Sequence, residues 1–372
     1  MSTATSSAAT SGTAASKVPP PYELPALVRF GALAVVVAFA LLFPLIFPNP
    51  AVTTIAIFAL MFTLAVSGWN IFSGYSGYIA LGGAVFYGVG QYTSALLIIH
   101  LNVTPGWAEF YLLPVAGIVA VVVSVPLGWL LLRVRKHTFI VLTIASMFIF
   151  QLFAFNWRGL TGGSQGLTVP QPLWQGSYFN QPFYYVTLGA AAVAIAASWS
   201  VRRSKFGLGL LAIRDDEDRA RSLGVNTRRT KLVGFAISAF FLGMAGAIYA
   251  PFVGSVFPQF AFDPTFDLAM AVMAFTGGLG TIVGPALGAV FIESSQQYFQ
   301  LQYGQDNVFL LIYGALFVLV LRFLPDGIVP SLSRRWRERV AARASAAAAP
   351  PTTGPTAAVP ISSAAEQGEL LK

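Results

Sequence analysis

The chain has 372 residues, 56% of them hydrophobic and only 10% charged. Soluble domains carry roughly a quarter charged residues, so a protein surrounded by water alone is excluded. With no cysteine and two well-separated histidines, His100 and His137, disulfides, thiolate metal sites and cysteine nucleophiles are excluded too; the formal charge of +8 follows the loops between apolar runs, which argues against nucleic acid as a partner.

Met1 to about Pro25 is rich in Ser, Thr, Ala and Pro and predicts a disordered tail. Lys17 is its only basic residue, which makes it a poor signal peptide. A helix needs about 20 apolar residues to cross the hydrocarbon core. Runs of that kind begin near Leu27, Ala51, Tyr78, Phe110, Thr138, Phe183 and Leu232. Three more, around Thr265–Thr276, Gly284–Gln300 and Val308–Phe323, are shorter or interrupted by glycine. The runs lack the ten-residue alternation of barrel strands. The predicted fold class is therefore all-α, a polytopic transmembrane bundle of about eight to ten spans with broken or re-entrant glycine-rich segments. The membrane domain is placed at 26–336, and 341–372, rich in Ala, Pro and Thr, predicts a second disordered tail.

In chain order, the first polar interruption is a glycine block, Gly74, Gly77, Gly82, Gly83, Gly88 and Gly90, mixed with Ser73, Tyr75, Ser76 and Tyr78. Small residues let helices approach closely, and clustered ones permit a broken helix. The open amides and carbonyls of such a break suit the two ends of a zwitterion. Gly74, Ser76, Gly77 and Tyr78 are thus candidates for a translocation path, with plain helix packing as the competing reading. An outer loop follows, with Asn156, Trp157 and Arg158 before Thr161, Gly162, Gly163, Ser164, Gln165 and Gly166. It suits the reception of a soluble protein or the lining of a vestibule, and equally a simple connection.

Residues 202–231 hold nine of the 22 Lys and Arg and four of the 14 Asp and Glu. Hydrocarbon penalises each unpaired charge by several kcal/mol, so this stretch must lie in water. Asp215, Asp216, Glu217 and Asp218 precede Arg219, Ala220 and Arg221, with Leu223 and Gly224 behind. Acids first, bases last and a terminal glycine predict a short helix from about Asp216 to Leu223. Asn226 or Thr227 then caps a membrane helix starting near Arg228. Leu208, Leu210 and Leu211 are expected to anchor the element.

Gly277, Gly278 and Gly280, followed by Gly284 and Pro285, resemble a nucleotide loop only superficially. No Gly-Lys-Ser/Thr follows, so a kinked or re-entrant turn is predicted, again a translocation-path candidate. Glu293 is the one acid placed deep in a predicted span, a functional position by default. Asp267 is read as a dipole partner at an outer helix start. With both termini inside, 21 of 22 basic residues fall on the cytoplasmic side or in the tails, Arg158 being the exception.

Four ordered blocks now carry a resemblance: Phe72–Leu97, Leu142–Leu167, Ala212–Ala250 and Gly277–Glu293, with LPDGIVPSL at Leu324–Leu332. Together the chain resembles the permeases of branched-chain amino acid ABC transporters, the LivM/LivH type, and the LivM half more closely because of its TGGSQGL loop. The resemblance implies a plasma-membrane permease subunit without catalytic residues or a metal of its own. It implies a second, LivH-like permease, two ATPase subunits that hydrolyse the ATP, and an extracytoplasmic binding protein that selects the cargo. Leucine, isoleucine and valine are the expected cargo, with urea and short amides the alternative within the family. Asp215–Gly224 would be the helix that docks on the ATPase, although Asp218-Arg219-Ala220 stands where Glu-Ala-Ala is commoner. A gradient-driven carrier ranks behind, because proton coupling usually needs several intramembrane acids or histidines. An intramembrane enzyme ranks behind as well, for want of a convergent nucleophile, base and metal set.

Overall fold

Apolar runs that must satisfy their own backbone polar groups become helices in the computed structural model, which describes residues 26–174 and 176–303 together with 314, 315, 322, 327–331 and 334. Apart from 314, 315 and 322, the expected span Val308–Phe323 lies outside the described residues, as do both expected tails.

Helix α1 (Ala26–Ile46) is followed by α2 (Pro50–Trp69), which runs into a single π turn, Asn70–Gly74. Then come α3 (Ala84–His100), α4 (Leu113–Leu131), α5 (Lys136–Asn156) and the one-turn α6 (Arg158–Thr161). The middle of the chain forms α7 (Asn180–Arg203), α8 (Lys205–Asp215), α9 (Glu217–Ser222) and α10 (Thr227–Val253). It closes with α11 (Pro258–Ala261), α12 (Pro264–Gly277) and α13 (Gly284–Tyr303). Two short strands, β1 (Leu167–Thr168) and β2 (Ser255–Val256), pair antiparallel with Leu167 opposite Val256.

Five stretches among the described residues are long and apolar enough to cross a membrane: Pro50–Gly74, Trp107–Leu131, Lys136–Asn156, Asn180–Arg203 and Thr227–Val253. Helix α10 is the axis of the bundle, with 67% of its apolar window buried against 28% for the peripheral α5. It packs on α2, α3 and α4. Its approach to α3 is backbone on backbone: a Cβ at Gly90 would overlap the Gly243 carbonyl, and one at Gly246 would overlap that of Tyr87. Small residues at a crossing are how membrane helices gain contact without a hydrophobic driving force. Aromatic rings fill the rest, as where Phe235 meets Phe72, Phe86 and Phe139 at 5.2, 5.1 and 6.1 Å.

The expected span starting near Tyr78 is corrected: its helix begins only at Ala84, and 77–83 is non-helical. Two polar ends result. One carries the α4–α5 elbow and α8–α9, joined where Lys136 Nζ donates to the Arg214 carbonyl at 2.9 Å; it is called the charged end below.

Candidate functional site

Helix α9 is made by its caps. The Asp216 side chain accepts from the Arg219 amide at 2.9 Å, and Glu217 and Asp218 occupy the first turn. Asp216 is therefore the cap and Leu223 the exit, one residue inside each expected limit, with Gly224 left-handed beyond it at φ 87°. Asn226 caps α10 by accepting from the Arg229 amide at 3.1 Å, so that helix starts at Thr227 rather than Arg228. Of the three expected anchors Leu210 is fully buried, Leu211 is partly buried against the core, and Leu208 is 60% exposed.

One carboxylate locks α9 to the bundle. Lys231, 3% exposed, donates to Glu217 Oε1 at 2.7 Å, Tyr78 donates its hydroxyl to Glu217 Oε2, and Arg221 lies 3.6 Å from Oε1. Burial pushes the Glu217 carboxyl up, but the Lys231 and Tyr78 hydrogen bonds and the Lys231 and Arg221 charges outweigh it, leaving it below the usual range. The backbone amide of Arg219 likewise lowers Asp216. Among the described residues, the side chains of Asp215, Asp218 and Arg219 make no hydrogen bond or ion pair to the bundle, and Ala220 is the buried residue of α9.

Two arginines extend this bracing to the glycine blocks. Arg214 Nη1 donates to the Gly74 carbonyl at 2.9 Å, and Arg202 Nη1 donates to the Gly280 carbonyl. Asn70, in the π turn, grips the same place from below: its Oδ1 accepts from the Gly280 amide at 2.9 Å and its Nδ2 donates to the Thr281 carbonyl at 2.8 Å. Gly280 sits at φ 78°, and a Cβ there would overlap the Arg214 guanidinium. Thr281 Oγ1 accepts from the Gly284 amide at 3.1 Å and starts α13. The predicted kinked turn at Gly277, Gly278 and Gly280 is thus present, and it belongs to the charged end.

Side chains close part of the backbone of the broken segment 77–83. Tyr78 N donates to Ser76 Oγ at 3.2 Å, Ala80 N to Ser73 Oγ at 3.2 Å and Leu81 N to Thr143 Oγ1 at 3.2 Å. Trp69 Nε1 donates to the Ala80 carbonyl at 2.7 Å. Asp267, 1% exposed, accepts from the Ala84 amide at 3.2 Å and so caps α3 inside the bundle. Asp267 stands in the first turn of its own helix, α12, as expected, and its carboxylate also serves the start of α3. Ser76, whose hydroxyl donates to the Phe72 carbonyl at 2.7 Å, and Tyr78 are fully engaged, so Gly74, Ser76, Gly77 and Tyr78 gather as a brace at the charged end.

Glu293 lies elsewhere. It is 1% exposed and lines a cavity of about 550 Å³ among Phe58, Phe62, Tyr87, Tyr249 and Phe266. Tyr87 and Phe266 stack at 4.0 Å between centroids. Gln297 Nε2 donates to Glu293 Oε1 at 2.9 Å, while Glu293 Oε2 and the buried Gln296 Oε1 have no hydrogen bond among the described residues. Helices α2, α12 and α13 build most of this cavity, the same three that end at the arginine-braced turns.

At the opposite end, Thr161 Oγ1 donates to the Trp157 carbonyl at 2.8 Å, Gly162 is left-handed at φ 72°, and the Gly163 amide donates to Thr161 Oγ1 at 3.3 Å. The β1–β2 pair fastens this loop to the exit of α10, leaving Gln165 exposed. Lys231, Arg202, Arg214 and Asn70 were not singled out from the sequence. The signal was present in part: Asn70, Arg202 and Lys231 are polar side chains near an end of a membrane-length helix, where a partner is required, whereas Arg214 belongs to the short α8.

Three comparisons bear on this geometry. The family described as branched-chain amino acid transport system / permease component matches residues 51–321. The high-affinity branched-chain amino acid transport system permease protein LivM of Escherichia coli K12 is 30% identical over 304 residues, covering 74% of this chain and 69% of that protein. LivH of the same organism is 27% identical over 291 residues, covering 72% and 91%. The autoinducer 2 import system permease protein LsrC of Salmonella paratyphi B is 26% identical over 196 residues, covering 49% and 54%. No solved structure matches the chain. With its family model spanning the bundle from α2 to beyond α13, the chain belongs to the permease components of branched-chain amino acid transport systems.

Proposed function

We propose that the chain is the membrane-spanning subunit of an ATP-driven importer, passing branched-chain or related hydrophobic amino acids handed over by an extracytoplasmic binding protein. It sits in the plasma membrane with both termini and the charged end cytoplasmic, beside a second, LivH-like permease. Two separate ATPase subunits hydrolyse the ATP. The observation that carries this reading is the capped α9, clamped to the bundle through Glu217, Lys231 and Tyr78. A surface helix can pass on a push only if it is anchored, and this one is.

The transmission runs through the arginines. A shift of α8–α9 on the ATPase moves Arg214, on α8, and pulls on Arg202, in the last turn of α7 just before α8; these hold the Gly74 and Gly280 carbonyls at the ends of α2 and α12 and the start of α13. Those three helices carry Phe58, Phe62, Phe266 and Glu293 around the cavity. We assign that cavity to the translocation path: its aromatic wall suits an apolar side chain better than urea, and the free Glu293 oxygen suits the cargo's ammonium group. The outer loop at Thr161, Gly162, Gly163 and Gln165 faces the binding protein.

Reconstitution with the partner subunits tests the reading. Uptake is expected to require ATP, and replacing Asp218 with Lys and Arg219 with Glu, side chains that hold neither the cap nor the Glu217 clamp, is expected to leave a folded bundle whose uptake no longer follows hydrolysis. Uptake that persists without ATPase subunits and collapses with the proton gradient contradicts it.

A further inference from the structure

A second cavity, of about 650 Å³, opens at the charged end between the α4–α5 elbow, α9 and the start of α10. Its charge is lopsided. Six cationic side chains line it: Arg133, Arg135, Lys136, Arg221, Arg228 and Lys231. Only Glu217 and Asp218 oppose them, and Glu217 is already occupied by Lys231 and Arg221. Arg133, Arg135 and Arg228 have no carboxylate within salt-bridge distance among the described residues.

The backbone adds to this field. The first turn of α5 lines the cavity, and Arg135 at its N-cap supplies no side-chain hydrogen bond, so a 21-residue helix begins there with uncapped amides. Uncapped N-terminal amides and the positive end of the helix dipole favour an anion with several oxygens. Arginine forks match such oxygens in pairs.

Trp129 fixes where along the membrane normal the cavity lies. Its ring is half exposed on the last turns of α4, with the Arg133 guanidinium 3.6 Å and the Arg228 guanidinium 5.3 Å from its centroid. Tryptophan at a helix end marks the headgroup level. On its membrane side, Val122 and Val125 on α4 and Val141 on α5 present an exposed apolar flank. The cationic cavity and the flank are continuous along α4.

We propose that this cavity binds the phosphate-bearing headgroup of an anionic phospholipid, whose acyl chains lie along the exposed flank of α4 and α5. A free phosphate would satisfy the guanidinium groups but leave the flank unused, and it is the flank that selects a lipid. The site touches α9 through Asp218 and Arg221, so a bound headgroup rests against the proposed docking helix. The inference needs only that the chain is membrane-embedded, and it stands or falls apart from the transport reading.

The test is native mass spectrometry of the full-length chain in detergent, titrated in turn with phosphatidylglycerol, phosphatidylcholine and inorganic phosphate. Phosphatidylglycerol is expected to be retained at least about tenfold better than phosphatidylcholine and to resist millimolar phosphate. Replacing Arg133, Arg135 and Arg228 together by Gln is expected to weaken its retention by roughly a hundredfold, at about fivefold for each basic side chain beside an anionic headgroup. All three are surface side chains, so folding is preserved; Trp129→Ala alone is expected to give an intermediate loss. Equal retention of the two lipids, or unchanged retention in the triple variant, overturns the proposal. So does displacement by inorganic phosphate at equal concentration, which makes the site a phosphate site. Indifference to lipid combined with lost binding of the ATPase subunits in the triple variant makes it a protein contact, and overturns it equally.

Discussion

Lys231 has left water for one carboxylate and one phenol. Removing a single partner of a buried pair strands the other charge and costs about 3–5 kcal/mol, whereas replacing both with neutral groups of similar volume is often close to neutral. In thermal unfolding of the detergent-solubilised chain, Glu217→Gln is therefore expected to be clearly destabilised, and Lys231→Met less so, because the Glu217 side chain keeps 20% of its exposure. The double variant is expected to recover most of the loss, with a coupling of about 2 kcal/mol; strict additivity removes the pair from the account. The same carboxyl sets a pH dependence. Its folded pKa is lowered, so its contribution is complete above the unfolded value of about 4.3 and disappears as pH falls through the lower folded value. The gap in melting temperature between the native chain and Glu217→Gln should be constant above about pH 5 and close below about pH 4. A gap that instead widens with acid contradicts the assignment.

Helix α9 has fewer than two turns and depends on its cap. Asp216→Ala is expected to cost about 1 kcal/mol locally, read as faster hydrogen exchange of the α9 amides with little change in the melting temperature of the bundle. Unchanged exchange there means the cap does not hold the helix. Cap chemistry is local, which is why α9 was legible from six or seven consecutive residues, to within one residue at each end. The brace was not. Asn70 and Gly280 are 210 residues apart, and Tyr78 and Glu217 are 139 apart; no periodicity records such pairs. The same limit explains why the Gly74–Gly90 block read as open backbone: the side chains that close it, Thr143 and Asp267, come from α5 and α12. Gly280 offers a sharper check, since its left-handed backbone and the Arg214 contact leave no room for a methyl group. Gly280→Ala is expected to lower stability by about 1–3 kcal/mol and to reduce uptake more than ATP hydrolysis. Wild-type uptake in that variant would detach the turn from transport.

For the whole molecule, the all-α class followed from hydropathy because lipid leaves the backbone few choices, although five stretches of the described residues, against the eight to ten expected, are long and apolar enough to cross; the family followed from blocks that cover most of the membrane domain. How the ends are wired together is a property of the folded bundle. Arg214 of α8 and Arg202 in the last turn of α7 reach the turns where α2 and α12 end and α13 begins, and those three helices build most of the Glu293 cavity. In the proposed function, a docking event at one end thereby reaches the cavity assigned to the cargo. The chain has no cysteine, so a single Ala269→Cys on the cavity wall of α12 reports on that site alone. The decisive measurement is its rate of thiol labelling in the reconstituted complex, with and without trapped nucleotide, in the native background and with Arg202 and Arg214 both replaced by Met. Nucleotide is expected to change the rate severalfold in the native background and to leave it unchanged in the double variant while hydrolysis continues; an equal nucleotide response in both backgrounds would contradict transmission through the two arginines.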